Sequence, residues 1–244
     1  MGVEYQDNLF VYEETGRKDS AGCLSVIINQ KNLEGHQHHI NNDITEQRVG
    51  SLYQVIEYLG LNVNVTEEGV FRKAGSIKKQ QELLERVERG EDLELETGHY
   101  NTHECASVLK TFLASLAEPL VTNACYQSHL DVAALDEEKY DRKILCSQLL
   151  LELIPDQYYK LLKDLLFLLN GVAQREDENK MSATNLGMMF CTHVLCPKLM
   201  SPEEFQAKHS IFTKATTFLI ENPMKLFTIP EKLLLEVQTF LSRR

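Results

Sequence analysis

From Thr45 onward the chain repeats apolar residues at three- and four-residue spacing, and no strand-like alternation longer than a few residues interrupts it. Val49, Leu52, Val55, Ile56 and Leu59 form the first stripe, with Thr45 placed to cap it and Gly60 to stop it. Ser76 stands as the cap of the next helix, which is expected to bury Ile77, Leu83, Leu84 and Val87 and to end at Gly90. A further helix is predicted from Thr102 to Leu116, with Val108, Leu109, Phe112, Leu113 and Leu116 inward and Glu118-Pro119 as its stop. The pattern continues over 123–134, 137–153 and 156–173, the last apolar nearly all round and therefore central. After a charged loop at 174–180, Ser182 caps a helix carrying Leu186, Met188, Met189 and Phe190, and two more follow over 202–221 and 230–242. Helices must bury their stripes against one another, so the predicted fold is all-α: one domain of roughly eight or nine helices over 44–244. Residues 1–43 read as a partly irregular N-terminal extension with one short β-branched run at 25–28.

A 43% hydrophobic content over 244 residues supplies a sizeable core. Apolar runs stay short of a membrane span; even Tyr158 to Val172 is cut by Lys160, Lys163 and Asp164, so no transmembrane segment is expected. The N-terminus lacks a basic-then-apolar signal pattern, and Met1-Gly2 is followed by Gln6 where a myristoylation motif wants Ser or Thr, so the expected location is cytoplasmic. The cysteines Cys23, Cys105, Cys125, Cys146, Cys191 and Cys196 form no Cys-x-x-Cys pair and read as reduced, structural thiols. His36, His38 and His39 have no partners of a known metal motif, and no metal or cofactor is expected. Asn64-Val65-Thr66 fits a glycosylation acceptor but has no secretory route. A net charge of −11 argues against nucleic acid as a partner.

Within this acidic chain, Arg72, Lys73, Lys78 and Lys79 form a cationic island. It opens in Glu68-Gly69-Val70-Phe71-Arg72-Lys73-Ala74-Gly75-Ser76, where two glycines bracket an arginine that follows an apolar pair. Val70 and Phe71 are suited to anchor such a loop in the core and leave the Arg72 guanidinium, always charged and rich in donors, over solvent. That arrangement suits an oxygen-rich anion; the plain alternative is a solvated helix start.

Three separated segments belong together: Gly69-Val70-Phe71-Arg72-Lys73-Ala74-Gly75, the stretch from Leu109-Lys110-Thr111-Phe112 to Ala117-Glu118-Pro119-Leu120, and Asn179-Lys180-Met181-Ser182-Ala183-Thr184-Asn185-Leu186. In order and separation they resemble the signature blocks of the Rho GTPase-activating protein domain, over about residues 45 to 225. The resemblance implies that Arg72 is the arginine finger, which stabilises charge on the transferring phosphate of a GTP-bound Rho-family small GTPase. It implies that Lys110 and Asn185 support the loop or contact the GTPase, with Lys73 among the supporting residues. It implies a GTPase activator with no stand-alone catalysis and no cofactor of its own, since GTP and Mg²⁺ belong to the partner.

The chain also departs from the pattern. The family usually has arginine at Ala114 and proline at Ala117, and Thr192 and His193 replace a proline and an asparagine in a loop expected to face the GTPase. The alternative reading is therefore a module that binds a Rho GTPase with weakened or no activation. An all-α scaffold with its interface elsewhere is the third.

Overall fold

The stripe at 158–172 becomes the helix around which the others pack. In the computed structural model, which describes residues 46–228, eleven α-helical segments and no strand occur among the described residues. We number them α1 (Glu46–Gly60), α2 (Asn62–Val65), α3 (Ile77–Arg89), α4 (Thr102–Ser115), α5 (Thr122–Ala134), α6 (Tyr140–Leu151), α7 (Asp156–Ala173), α8 (Glu176–Asn179), α9 (Ala183–Val194), α10 (Pro202–Glu221) and α11 (Pro223–Leu226). Eight are full helices, and α2, α8 and α11 are single turns. The all-α expectation therefore holds.

Helix α7 buries Tyr158, Leu161, Leu162, Leu165, Leu166, Leu168, Leu169 and Val172. Each buried leucine stabilises the fold by about 2 kcal/mol relative to an exposed one. Helices α1, α9 and α10 pack on α7, and α9 packs most extensively on α10. That crossing is close because Gly187 has no side chain: a Cβ there would lie 2.3 Å from Thr217 Oγ1.

The start of α4 is fastened twice. Asn101 and Glu104 form a reciprocal capping box, in which the Asn101 side chain accepts from the Glu104 N–H and Glu104 Oε2 accepts from the Asn101 N–H. Glu104, only 2% exposed, also accepts the Ser76 N–H through Oε1 at 3.2 Å. One carboxylate thereby ties α4 to the entry of α3.

The boundaries of α7 and α10 coincide with the predicted ones. Elsewhere the structure corrects the expectation. Ser76 occupies the cap position of α3, but its hydroxyl makes no capping bond. Ile77 is 72% exposed rather than buried, while Leu83 and Val87 go inward. The 137–153 helix splits into a short 3-10 turn, Glu137–Lys139, and α6. The charged stretch 174–180 contains the helical turn α8, which ends on the fully buried Asn179.

Asn64 is 4% exposed; it donates to the Tyr58 carbonyl and accepts from the Thr102 hydroxyl, so it serves the fold. Cys105, Cys125, Cys191 and Cys196 are buried thiols outside any disulfide, whereas Cys146 is disulfide-bonded, which corrects the reading of every cysteine as reduced. The run 25–28, His36, His38, His39, Cys23, Thr45 and the 230–242 helix lie outside the described residues. No helix among the described residues is long and apolar enough to cross a membrane.

Candidate functional site

The arginine loop joins α2 to α3 and is held from below. Gly69 donates its N–H to the Asn179 carbonyl at 2.8 Å, and its own carbonyl accepts from the Arg72 and Lys73 N–H groups at 2.9 and 2.8 Å. Its φ of +73° lies in the left-handed region, and a Cβ would crowd three Lys73 side-chain carbons at 3.0 Å, so glycine is required there. Val70 and Phe71 are 0% exposed. The Phe71 ring meets the Phe190 ring of α9 edge-on at 5.0 Å.

Phe71 itself has φ +66°, a conformation that costs a non-glycine residue about 1–3 kcal/mol. Ring burial and a bond to its carbonyl offset that strain: Lys110 Nζ donates to Phe71 O at 2.6 Å. Lys110 is half-buried, and burial pushes its pKa down. The next residue, Arg72, is exposed. Among the described residues its side chain has no hydrogen bond or ion pair. A buried residue in a strained conformation thus aims a charged neighbour outward.

Two further residues set the loop. At Gly75 a Cβ would come within 2.4 Å of Glu104 Cγ, so the loop's exit lies flat against α4. Asn179 is 0% exposed and satisfies every polar atom of its side chain. Its Nδ2 donates to the Val65 and Val172 carbonyls at 2.8 and 2.7 Å, and its Oδ1 accepts from the Met181 N–H at 2.7 Å. Sequence reasoning passed over this residue, because its partners lie in segments far apart in the chain. Its place in the third quoted block was the only available signal.

Lys110 and Ala114 of α4 line an open groove of about 400 Å³ with Ser107, Thr111 and, from α9, Met189 and His193. Asn185, exposed on the first turn of α9, is four residues before Met189 and eight before His193, so the three follow one stripe. The Asn185 backbone is capped by Ser182 Oγ at 3.1 Å, and its side chain has no partner among the described residues.

Burial, then the charges of Lys198 and Lys110, push the His193 pKa down to about 4, so the ring is neutral at pH 7. Lys198 Nζ donates to the Ala114 carbonyl at 3.1 Å and sits at the C-terminal end of α4. Lys73 pairs with Glu68 at 2.9 Å on the exposed side of the loop. Thr192 is half-buried and lines no part of the groove. The segment expected as a loop, Phe190 to Val194, is the end of α9. With no proline at position 192, the helical hydrogen bonds run on to Val194.

The loop lies in the first sequence block, Lys110 and Ala114 of the groove in the second and Asn185 in the third, and a family model for the RhoGAP domain matches residues 50–199. The chain belongs to the RhoGAP family. Rho GTPase-activating protein 19 of Homo sapiens is 38% identical over 197 residues, covering 77% of this chain and 40% of the relative. Rho GTPase-activating protein 68F of Drosophila melanogaster is 38% identical over 136 residues, covering 55% of this chain and 28% of the relative. The chain therefore spans less than half the length of these curated relatives. Among solved structures, the BH domain from GRAF superposes with a TM-score of 0.65 at 23% identity, covering 76% of this chain and 98% of that chain. At that identity the likeness supports the fold alone.

Proposed function

We propose that this RhoGAP domain accelerates GTP hydrolysis by a Rho-family small GTPase, with Arg72 inserted into the partner's nucleotide site. The single observation that carries this reading is an exposed Arg72, without an ion pair among the described residues, next to a fully buried Phe71. A guanidinium already engaged in an ion pair would have to break it before serving a phosphate. Among the described residues Arg72 has no such pair to break, and the anchored Phe71 fixes its backbone before the reaction.

Hydrolysis spreads negative charge over the oxygens of the transferring phosphate and its leaving group. An arginine supplied in trans stabilises that charge and raises the rate by about 10³ to 10⁵. Its planar fork bonds two oxygens at once, which a lysine ammonium cannot reproduce. Lys110 acts here through Phe71 as a positioning residue, while the groove along Ala114, Met189 and His193, continued by Asn185, receives the partner's surface. The GTP and its Mg²⁺ arrive with the partner, in its GTP-bound form, and the complex assembles in the cytoplasm.

Phosphate release from a panel of GTP-loaded Rho, Rac and Cdc42-type proteins, with and without this domain, tests the proposal. Acceleration of at least one member is expected. Binding of a GTP-loaded member without acceleration would favour the alternative of a non-activating module, which the small side chain of Ala114 at the groove recommends. Absence of both binding and acceleration would leave only a scaffold.

A further inference from the structure

A second cleft, of about 480 Å³, opens between α5, α6, α9 and α10 and shares no lining residue with the groove at Lys110. Lys143 of α6, at its wall, is 1% exposed and donates to Glu137 Oε1 at 2.9 Å. Lys214 of α10 reaches the same oxygen at 3.0 Å. One carboxylate oxygen therefore serves two ammonium groups, each of which has three donors. Among the described residues, the only other contact of the Lys143 ammonium is the Phe218 ring, 6.0 Å to its centroid.

On the α10 wall, the Thr213 hydroxyl is buried beside the Cys191 thiol, and among the described residues the Thr217 hydroxyl is buried with no partner. Glu137 is attached differently. It sits on the short 3-10 turn before α6, and its side chain is 73% exposed. The two lysines hold its carboxyl below the usual carboxylate range, so it is a full anion. Glu221, also at the cleft, is pushed up by burial and by Glu137.

We propose that this cleft binds a phosphate monoester, with Glu137 as the internal occupant that the ligand's phosphate replaces. Lys143 and Lys214 each spend a donor on the same Glu137 oxygen and keep others for the oxygens of a phosphate. Once Glu137 swings out, their two charges match a phosphate dianion, with the carboxyl of Glu221, pushed toward its neutral form, also at the cleft. Lysine serves phosphate well as a point charge. Glu137 can rotate into solvent without breaking the core, whereas Lys143 cannot leave, so the cations stay and the anion exchanges. The volume admits a phosphate with a small polar body attached. His209 and Ser210 line the same cleft and face that body.

Calorimetric titration with glycerol phosphate tests the site, on the full chain carrying Arg72→Ala so that the loop guanidinium contributes nothing. Saturable binding is expected. Lys214→Ala should weaken it by at least about tenfold and Glu137→Gln should tighten it by about fivefold, because one removes a cation and the other removes the competitor. Both positions are largely exposed, so neither variant depends on a rebuilt core. Cosedimentation with phosphatidylcholine vesicles containing phosphatidic acid then separates the sources. Binding to both probes assigns a lipid headgroup, and binding to the soluble ester alone assigns a metabolite. Absence of saturable binding overturns the proposal. Unchanged affinity in Lys214→Ala, or unchanged or weaker affinity in Glu137→Gln, does so too.

Discussion

The Lys110 ammonium holds the Phe71 carbonyl at 2.6 Å, one residue before Arg72. The lysine is thus anchored to the loop backbone from beneath, and its effect on activity should pass through the position of Arg72. Lys110→Met is expected to lower activation by about tenfold or more and to cost about 1–3 kcal/mol of stability, since the carbonyl loses its charged donor. In a double-mutant cycle, the same change on an Arg72→Ala background should cost little further activation. Additive losses would mean that Lys110 meets the GTPase directly.

Arg72→Ala should leave thermal stability within about 0.5 kcal/mol of the parent, because the side chain is exposed and has no ion pair among the described residues. Activation should fall by at least about a hundredfold, while affinity for the GTP-loaded partner changes far less, because the lost contact is made mainly in the transition state. Single-turnover phosphate release beside equilibrium binding checks both halves. Undiminished stimulation would remove Arg72 from its role.

Asn179→Ala removes three side-chain hydrogen bonds from a fully buried position and takes from the Val65 carbonyl and the Met181 N–H their side-chain partner, while the Val172 carbonyl keeps the Arg175 N–H. A loss of about 3 kcal/mol or more is expected in urea denaturation. Activation per folded molecule should also drop, because the neighbouring backbone carbonyl holds Gly69. Full activity at low temperature in a destabilised variant would confine Asn179 to the core.

His129 is 3% exposed, its Nε2 has no partner among the described residues, and burial pushes its pKa from 6.5 down to about 4. Between those values the unfolded chain takes up a proton that the folded chain refuses, so stability falls as pH drops through that window. The loss approaches about 3 kcal/mol by the lower end. Urea midpoints taken from neutral pH downward should trace it, and His129→Gln should flatten the curve. An unchanged slope in that variant would assign the acid sensitivity to other groups.

Ala114→Arg should strengthen binding to the partner by about 1–2 kcal/mol, with the gain shrinking as salt is raised. The structure places residue 114 on the groove with Lys110, as their four-residue spacing required. Affinity measured over a salt series is the check. No gain at low salt would show that the acidic rim of the partner lies elsewhere.

Helix positions were legible wherever a strong stripe met a clear stop signal, as at α7 and at the proline-started α10. Ile77 misled because apolarity was read as burial, although it is the first residue of α3 and faces solvent beside the loop. The arginine loop could be read from Val70, Phe71 and its glycines because those contacts are local. What holds it was not legible: Glu104 lies 28 residues from Ser76, and the carbonyl that Asn179 supports from Val65 lies 114 residues away. Bonds of that span leave no periodic trace. The run of α9 beyond Phe190 to Val194 was not legible for a related reason, since a family pattern containing proline suggested a loop that this chain's own residues do not need.

Phe71 and Arg72 are consecutive, yet one side chain rests on Phe190 inside the protein and the other stands in water. A random screen for lost activation would therefore recover substitutions at both, and at Phe190, with indistinguishable phenotypes in cells. Protein abundance would part them, because loss at Phe71 or Phe190 empties the pool of folded molecules and loss at Arg72 leaves it full. The divide between a silent protein and a missing one thus runs through a single peptide bond.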